Sequence, residues 1–482
     1  MSEQFDRVDP QVVKLGLVLA TGALAVVFDT TIVSVALRIL ATELEVSVAT
    51  IQWVTTGYLL ALGMAVPLSI WALERFGGRR TWVCALTLFL VASIGSALAW
   101  DAASLIAWRI AQGIGGGLLM PAMGTLMMQA AAGRATGRTV SIAMLPLTAG
   151  PIVGPFVGGV ILTHLSWRFM FWINVPLCVV GLVLALISLP GDRTPRSRPK
   201  LDIVGFVLLA PGVAGLLLGL TSAGRVGTFA EREVLVPALV GTTLVVAFCV
   251  HALRRDEPLV DLGLLRHRSL ASASAVLFFN AIAIYGPLLL IPIYYLEGRG
   301  ASALSAGVIL VPEAVGTALG LGAAGWLTDK VGPRPAAVGA TALVTVATVP
   351  FVFVTADTSG WLLAIWLLLR GLGLGAVGVP AMTGAYQGLD RAEIAHSTVL
   401  TRTIVQVGGS LGTAVLAVVL VRTAGDGGDI VSAVNTAFGW SVAFGIAAVA
   451  LAFSLPGRER PNDRRLPRTS QGVRLSRLRG RA

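Results

Sequence analysis

The sequence predicts an all-α polytopic membrane protein, and three observations carry that prediction. Only 13% of the 482 residues are charged and 55% are hydrophobic, against about a quarter charged in a soluble domain. The apolar residues fall in runs of about twenty, the length a helix needs to cross a bilayer. The basic residues gather in the short connections between runs and in a tail. A mean hydropathy of +0.83 leaves more apolar surface than a soluble fold of this length can hide. Helices rather than a β-barrel follow from run length, because barrel strands would be about ten residues of alternating pattern. A helix also satisfies its backbone groups within one segment, as lipid requires.

About fourteen such runs can be counted, near residues 13–37, 51–73, 80–100, 103–128, 138–163, 168–189, 202–223, 234–253, 269–296, 302–327, 335–355, 359–384, 397–422 and 436–456. Orientation follows from Lys and Arg in the short loops. Arg75, Arg79 and Arg80 follow the second run, Arg134 and Arg138 the fourth, and Arg193, Arg196, Arg198 and Lys200 the sixth. Arg254, Arg255, Arg266 and Arg268 follow the eighth, and Lys330 and Arg334 the tenth. With alternating spans these all lie on one side, expected to be cytoplasmic, and both termini lie there too. The opposite loops, around Asp101 and Asp357, are poorer in positive charge. The tail from Gly457 holds nine arginines and reads as disordered, with a stop-transfer anchor or contact with anionic lipid as its roles. The net charge of +11 therefore points to membrane topology and not to nucleic acid. Cys84, Cys178 and Cys249 lie in apolar runs and read as buried thiols, with neither disulfide framework nor metal spacing. Met1 to Lys14 is polar and of mixed charge, unlike a cleavable signal peptide.

An internal repeat organises the runs. The loop after the second run carries Glu74, Arg75, Gly77, Gly78 and Arg79, and the loop after the tenth carries Asp329, Lys330, Gly332 and Arg334. Glu74 and Asp329 are 255 residues apart. Gln112-Gly113-Ile114-Gly115 in the fourth run matches Arg370-Gly371-Leu372-Gly373 in the twelfth, 258 residues on. Two matches at nearly one offset predict two six-helix halves of the same orientation. The seventh and eighth runs are then an inserted pair, necessarily even in number. The expected units are a bundle over 1–190, the inserted pair with its linkers over 191–265, a second bundle over 266–456 and a basic tail over 457–482.

Several motifs stand in order along the chain: Phe28-Asp29-Thr30-Thr31 in the first run, Gln52-Trp53-Val54 opening the second, and Arg109-Ile110-Ala111-Gln112-Gly113 in the fourth. Gly150, Pro151, Gly154, Pro155, Gly158 and Gly159 mark the fifth, and Ser166-Trp167-Arg168 through Ile173-Asn174-Val175-Pro176 opens the sixth. Together these resemble the fourteen-span drug:proton antiporter family of the major facilitator superfamily over roughly residues 13–456. The glycine–proline set resembles that superfamily's antiporter signature. The resemblance implies the major facilitator fold, with a substrate site between parallel halves. One departure is in the loop after the second run, where Ile70 holds the usual glycine position and Glu74 replaces the usual aspartate. The later copy keeps Gly325 and Asp329.

Candidate site residues follow from cost. An ionisable side chain inside a span is expensive and usually faces a cavity or a partner. Asp29, Arg109, Glu313 and Arg370 are such residues, and their depths pair Asp29 with Arg109 and Glu313 with Arg370. An ordinary aspartate, with pKa about 3.9, holds no proton at neutral pH. Burial favours its neutral form and a neighbouring arginine its charged form, so relative motion of two helices can switch its proton affinity. Asp29 and Arg109 are thus the expected proton-coupling pair, against a static ion pair. Glu313 is the expected cation contact, against a structural pair with Arg370. Trp53, Tyr58, Phe278, Asn280 and Tyr285 are further candidate substrate contacts, since aromatic faces attract flat cations. Tyr294 and Tyr295 read as interfacial anchors. Small residues in the antiporter motif allow close helix approach and a kink, serving as a seal or pivot. Glu74, Arg75, Arg79, Asp329, Lys330 and Arg334 are expected to latch the cytoplasmic face. The four histidines sit at run ends or in loops and make poor proton carriers.

The expectation is a secondary transporter, not an enzyme, in the cytoplasmic membrane. It exports hydrophobic, cationic drugs or toxic small molecules in exchange for protons, acts as a monomer, and needs no cofactor or metal. Export of one endogenous metabolite, antibiotic or lipid-like product stands beside it. An ATP-driven pump is disfavoured because no Walker-type phosphate loop appears.

Overall fold

The structure, a computed structural model, describes residues 10–33, 36–130, 150–192, 200–255, 257–301, 308–389, 391–425 and 429–457. Among these every regular element is a helix. Arg134, Arg138, Arg193, Arg196, Arg198, the first part of the fifth run and nearly all of the tail lie outside the described residues.

In chain order the long helices are α1 (Pro10–Val33), α2a and α2b (Trp53–Ala65, Leu68–Phe76), α3 (Gly78–Ala97), α4 (Ala102–Ala130), α5 (Gly150–His164), α6 (Asn174–Ser188) and α7 (Ile203–Val226). They continue with α8 (Arg232–Arg254), α9 (Arg268–Ile293), α10 (Val311–Val331), α11 (Pro333–Thr348), α12 (Gly360–Ala385), α13 (Arg391–Gly425) and α14 (Ile430–Ala452). Eleven helical stretches are long and apolar enough to cross a membrane, or twelve if the bent pair α2a–α2b is one span. That pair bends by 53° at Pro67, which has no N–H to continue the ladder. Of the expected runs, the fifth and tenth fall short of that criterion among the described residues.

Packing reproduces the sequence repeat. α1 lies on α4, α5 and α6, α3 on α4 and α6, and α2a on α4. Eight helices later, α9 lies on α12, α13 and α14, α11 on α12 and α14, and α10 on α12. The same glycines make both close approaches. A Cβ on Gly113 or Gly117 would strike the carbonyls of Tyr58 or Leu62 on α2a. A Cβ on Gly371 or Gly375, each 258 residues on, would strike those of Glu313 or Thr317 on α10. Small residues at four-residue spacing let the backbones touch, the usual route to tight helix pairs in lipid. The arginines repeat as well: Arg79 Nη2 donates to the Leu186 carbonyl at 2.6 Å, and Arg334 Nε to that of Leu455 at 2.5 Å.

α7 and α8 pack on each other, and α7 also lies against α2a and α13. α8 exposes Val236, Leu239, Val240 and Val246, an apolar face that suits lipid. Asp202 fastens this pair. Its carboxylate accepts from the N–H groups of Gly205 at 3.0 Å and Leu259 at 3.2 Å, and His251 Nε2 lies 3.0 Å away. Burial pushes the Asp202 carboxyl upward, but those hydrogen bonds and nearby Arg255 outweigh it and hold it below the usual carboxylate value.

Two expectations are corrected. Cys84 is exposed, Cys249 is half-buried and only Cys178 is buried, because an apolar run in a membrane helix has a lipid-facing side as well as a protein-facing one. Tyr294 and Tyr295 are buried against Phe351, Leu363 and Val434 instead of facing lipid as anchors would. They begin the wide helical turn Tyr294–Gly298, and Tyr294 donates its hydroxyl proton to the Thr355 carbonyl at 2.6 Å.

Candidate functional site

Asp29, Arg109, Gln112, Ser93 and Asn174 form one buried polar network on α1, α4, α3 and α6, each fully shielded. Arg109 Nη1 donates to Asp29 Oδ2 as a salt bridge and to Gln112 Oε1 at 2.6 Å. Arg109 Nε donates to the Val54 carbonyl on α2a at 3.1 Å. Asp29 Oδ1 accepts from Gln112 Nε2 at 3.0 Å and Asn174 Nδ2 at 2.9 Å. Gln112 Nε2 also donates to Ser93 Oγ at 2.8 Å. The guanidinium lies over the Tyr58 ring at 4.1 Å and nearer the edge of contact with Phe171, at 5.7 Å. Thr30 Oγ1 donates to the Tyr58 hydroxyl at 3.3 Å.

The chain builds this arrangement locally. Arg109 and Gln112 are three residues apart and therefore share a helix face. Asn174 is the first residue of α6, immediately after a break at Ile173 that follows the short helix Phe169–Trp172. Gly154 and Gly158 on α5 face Thr31 and Ile32 of α1, one turn or less beyond Asp29. The antiporter motif thus presses on the helix that carries the carboxylate. A Cβ on Gly159 would meet nothing within 4 Å among the described residues, and Gly150, Pro151 and Pro155 lie on the same helix.

The second expected pair also forms: Arg370 Nη1 donates to Glu313 Oε1, and Arg370 Nη2 to the Ile284 carbonyl at 3.1 Å. Glu313 stands in the first turn of α10, with Pro312 at the helix start, a position whose N–H has no partner within the helix; residues 302–307 just upstream lie outside the described residues. A carboxylate there gains from the positive end of the helix dipole. Among the described residues Glu313 Oε2 and Arg370 Nε are buried without a hydrogen-bond partner, so this pair is less completely satisfied than the first.

Other candidates scatter. Tyr58 belongs to the Arg109 cluster, and Asn280 Nδ2 donates to Thr341 Oγ1 at 3.2 Å. Phe278 packs edge-on against Phe279. Trp53 and Tyr285 are each 46% exposed. Among the loop residues, Arg79 and Arg334 bond within their own helix groups, while Lys330 lies over Trp326 at 4.7 Å. The acid does reach across: Glu74 Oε1 lies 3.2 Å from His396 Nε2 on α13. His396 Nδ1 in turn accepts the Asp261 N–H at 3.3 Å. Sequence reasoning missed Gln112, Ser93, Asn174 and His396. Gln112 and Asn174 are polar residues in apolar runs, and that was the signal available.

Two helix groups with repeated packing, long apolar helices and buried ionisable pairs are the features of a polytopic membrane protein. Residues 19–413 match the Major Facilitator Superfamily model, and the chain belongs to that family of membrane transporters for small molecules. It is 34% identical over 418 residues to the multidrug resistance protein B homolog of Mycobacterium tuberculosis, covering 86% of this chain and 77% of that one. It is 32% identical over 419 residues to the tetracenomycin C resistance and export protein of Streptomyces glaucescens, covering 85% and 76%. The fold is similar to that of the human organic anion transporter MFSD10 (TETRAN), with a TM-score of 0.65, 16% identity, and 92% and 100% of the two chains covered.

Proposed function

We propose that the protein exports hydrophobic, cationic drugs or toxic small molecules across the cytoplasmic membrane in exchange for protons, by alternating access. The observation that carries this reading is the buried carboxylate of Asp29, shared between α1, α4 and α6 and touched through α1 by the α5 glycines. A carboxylate held by a guanidinium and two amides is stable as an anion. Moving α4 away from α1 would remove the guanidinium and favour proton uptake, and its return would favour release. Each proton entering supplies about 2.3 kcal/mol per 100 mV of membrane potential, plus the pH difference. Kinship to a multidrug resistance protein supports drug efflux.

In this reading the chain has fourteen spans, with α1–α6 over 1–190, α7–α8 within 191–265, α9–α14 over 266–456 and the tail over 457–482. Both termini are cytoplasmic, the monomer is the working unit, and Glu313, Trp53, Tyr58, Phe278, Asn280 and Tyr285 contact substrate. A second reading, export of one endogenous product, is favoured by kinship to a protein named for the resistance and export of a single antibiotic. Transport in proteoliposomes under an imposed pH gradient, across a panel of cations and natural products, separates the two. Asp29→Asn keeps the size of the side chain and cannot titrate. It is expected to exchange substrate but not to concentrate it when only a proton gradient drives transport. Uphill efflux by that variant would falsify the assignment of Asp29 to coupling.

A further inference from the structure

Asp29 is fully served as a carboxylate, with three donors on its two oxygens. The acid form has a different need. A protonated carboxyl is itself a donor, and its O–H must find an acceptor or stay unpaired in a buried site. Arg109 offers none, because a guanidinium only donates, and Tyr58 and Cys178, the other titratable groups that feel the Asp29 charge, make no hydrogen bond to it among the described residues. Gln112 Oε1 already receives Arg109 at 2.6 Å, and the Gln112 nitrogen is shared between Asp29 and Ser93.

Asn174 is arranged differently. Its nitrogen donates to Asp29 Oδ1 at 2.9 Å, while its own Oδ1 is buried and accepts no hydrogen bond among the described residues. Leaving one end of a buried amide bare is unfavourable; Asn280 and Asn435 share that feature among the described residues, but of the three only Asn174 donates to a carboxylate. The terminal torsion of asparagine is broad and close to two-fold. A half turn about it therefore exchanges the positions of nitrogen and oxygen at little torsional cost. The backbone of Asn174 is meanwhile fixed at the start of α6, between the break at Ile173 and Pro176.

We propose that Asn174 is a positioning residue for both protonation states of Asp29: its Nδ2 donates to the carboxylate, and after a half turn its Oδ1 accepts the O–H of the acid. The proton itself stays on Asp29, and Asn174 neither gains nor loses one. This inference rests on the reading of Asp29 as the coupling carboxyl.

The test compares wild type, Asp29→Asn and Asn174→Leu in proteoliposomes. Leucine fills a similar volume and neither donates nor accepts. The ratio of pH-driven uphill efflux to energy-independent exchange is expected to fall about tenfold in Asn174→Leu. Its pH midpoint is expected to move by about one unit, the shift that a tenfold change in proton affinity produces. Infrared difference spectra between acid and neutral pH, taken on wild type carrying isotope-labelled asparagine, do not depend on how the leucine variant folds. There the asparagine amide band is expected to shift when Asp29 protonates, and the shift should vanish in Asp29→Asn. If Asp29→Asn retains uphill efflux, the coupling reading fails and takes this inference with it. If Asp29→Asn loses uphill efflux but Asn174→Leu keeps the wild-type pH profile, or the wild-type amide band does not move, Asn174 is a structural residue alone.

Discussion

The two buried ion pairs differ in how well each charge is met. Asp29 has donors on both oxygens, whereas Glu313 keeps one oxygen, and Arg370 one nitrogen, without a partner. A half-satisfied buried pair contributes little stability of its own, and an open carboxylate oxygen can take a ligand cation. Glu313→Gln is therefore expected to lose cationic substrates and spare neutral ones, read as resistance or uptake across a panel at matched membrane abundance. Removing one charge of a buried pair can cost about 3–5 kcal/mol, so folded yield must be measured beside transport. Equal loss of both substrate classes, or loss of folded protein, would leave Glu313 a structural role only. All four charged residues were legible in the sequence, because a charge in an apolar run is conspicuous. Their pairing by depth was legible too. Gln112, Ser93 and Asn174 were not, since neutral polar side chains are common in membrane helices and their convergence depends on tertiary packing.

At the scale of the helix, glycine position decides which pairs of elements touch. The repeat in Gly113, Gly117, Gly371 and Gly375 could be read as recurrence at one offset, yet only packing reveals that α4 meets α2a and α12 meets α10 through those faces. His396 went unassigned because it sits at a run end, where nothing local indicates that α13 meets α2b. The α5 glycines allow a graded test. A side chain on Gly154 would run into Thr31, whereas one on Gly159 meets open space. Gly154→Leu is expected to insert normally and to abolish coupled transport, by prising α5 from α1 next to Asp29. Gly159→Leu, on the same helix, should transport at close to the wild-type rate. Matched activity in the two variants would reduce the motif to generic small-residue packing.

For the whole molecule, the inserted pair is the element whose role composition could not suggest. Its even number is an expectation from orientation, and its position could not be read from the sequence. α7 lies along the seam between α2a and α13, touching one helix group through Gly63 and Leu217, 3.2 Å apart for an added Cβ. It touches the other through Gly224 and Ala417, 3.4 Å apart by the same measure. These two contacts are not equivalent. Asp202 at the head of α7 binds the Leu259 N–H in the segment leading to α9. Leu209, Val213 and Phe248 share a core with Leu264, Leu270, Ala273 and Val399. Val66 and Ile70 of the first group share that core too, but the hydrogen bond from the Leu259 N–H to Asp202 ties the insert to the segment leading to α9, so α7 and α8 should ride with α9–α14 as the two groups rock. Short thiol cross-linkers test this in a background lacking Cys84, Cys178 and Cys249. Joining Gly224→Cys to Ala417→Cys links parts that move together and should leave transport intact. Joining Gly63→Cys to Leu217→Cys bridges parts that separate and should stop it, with activity returning on reduction of a cleavable linker. The reverse pattern would assign the insert to the first six helices, and free transport with both links in place would mean that the seam along α7 does not open at all.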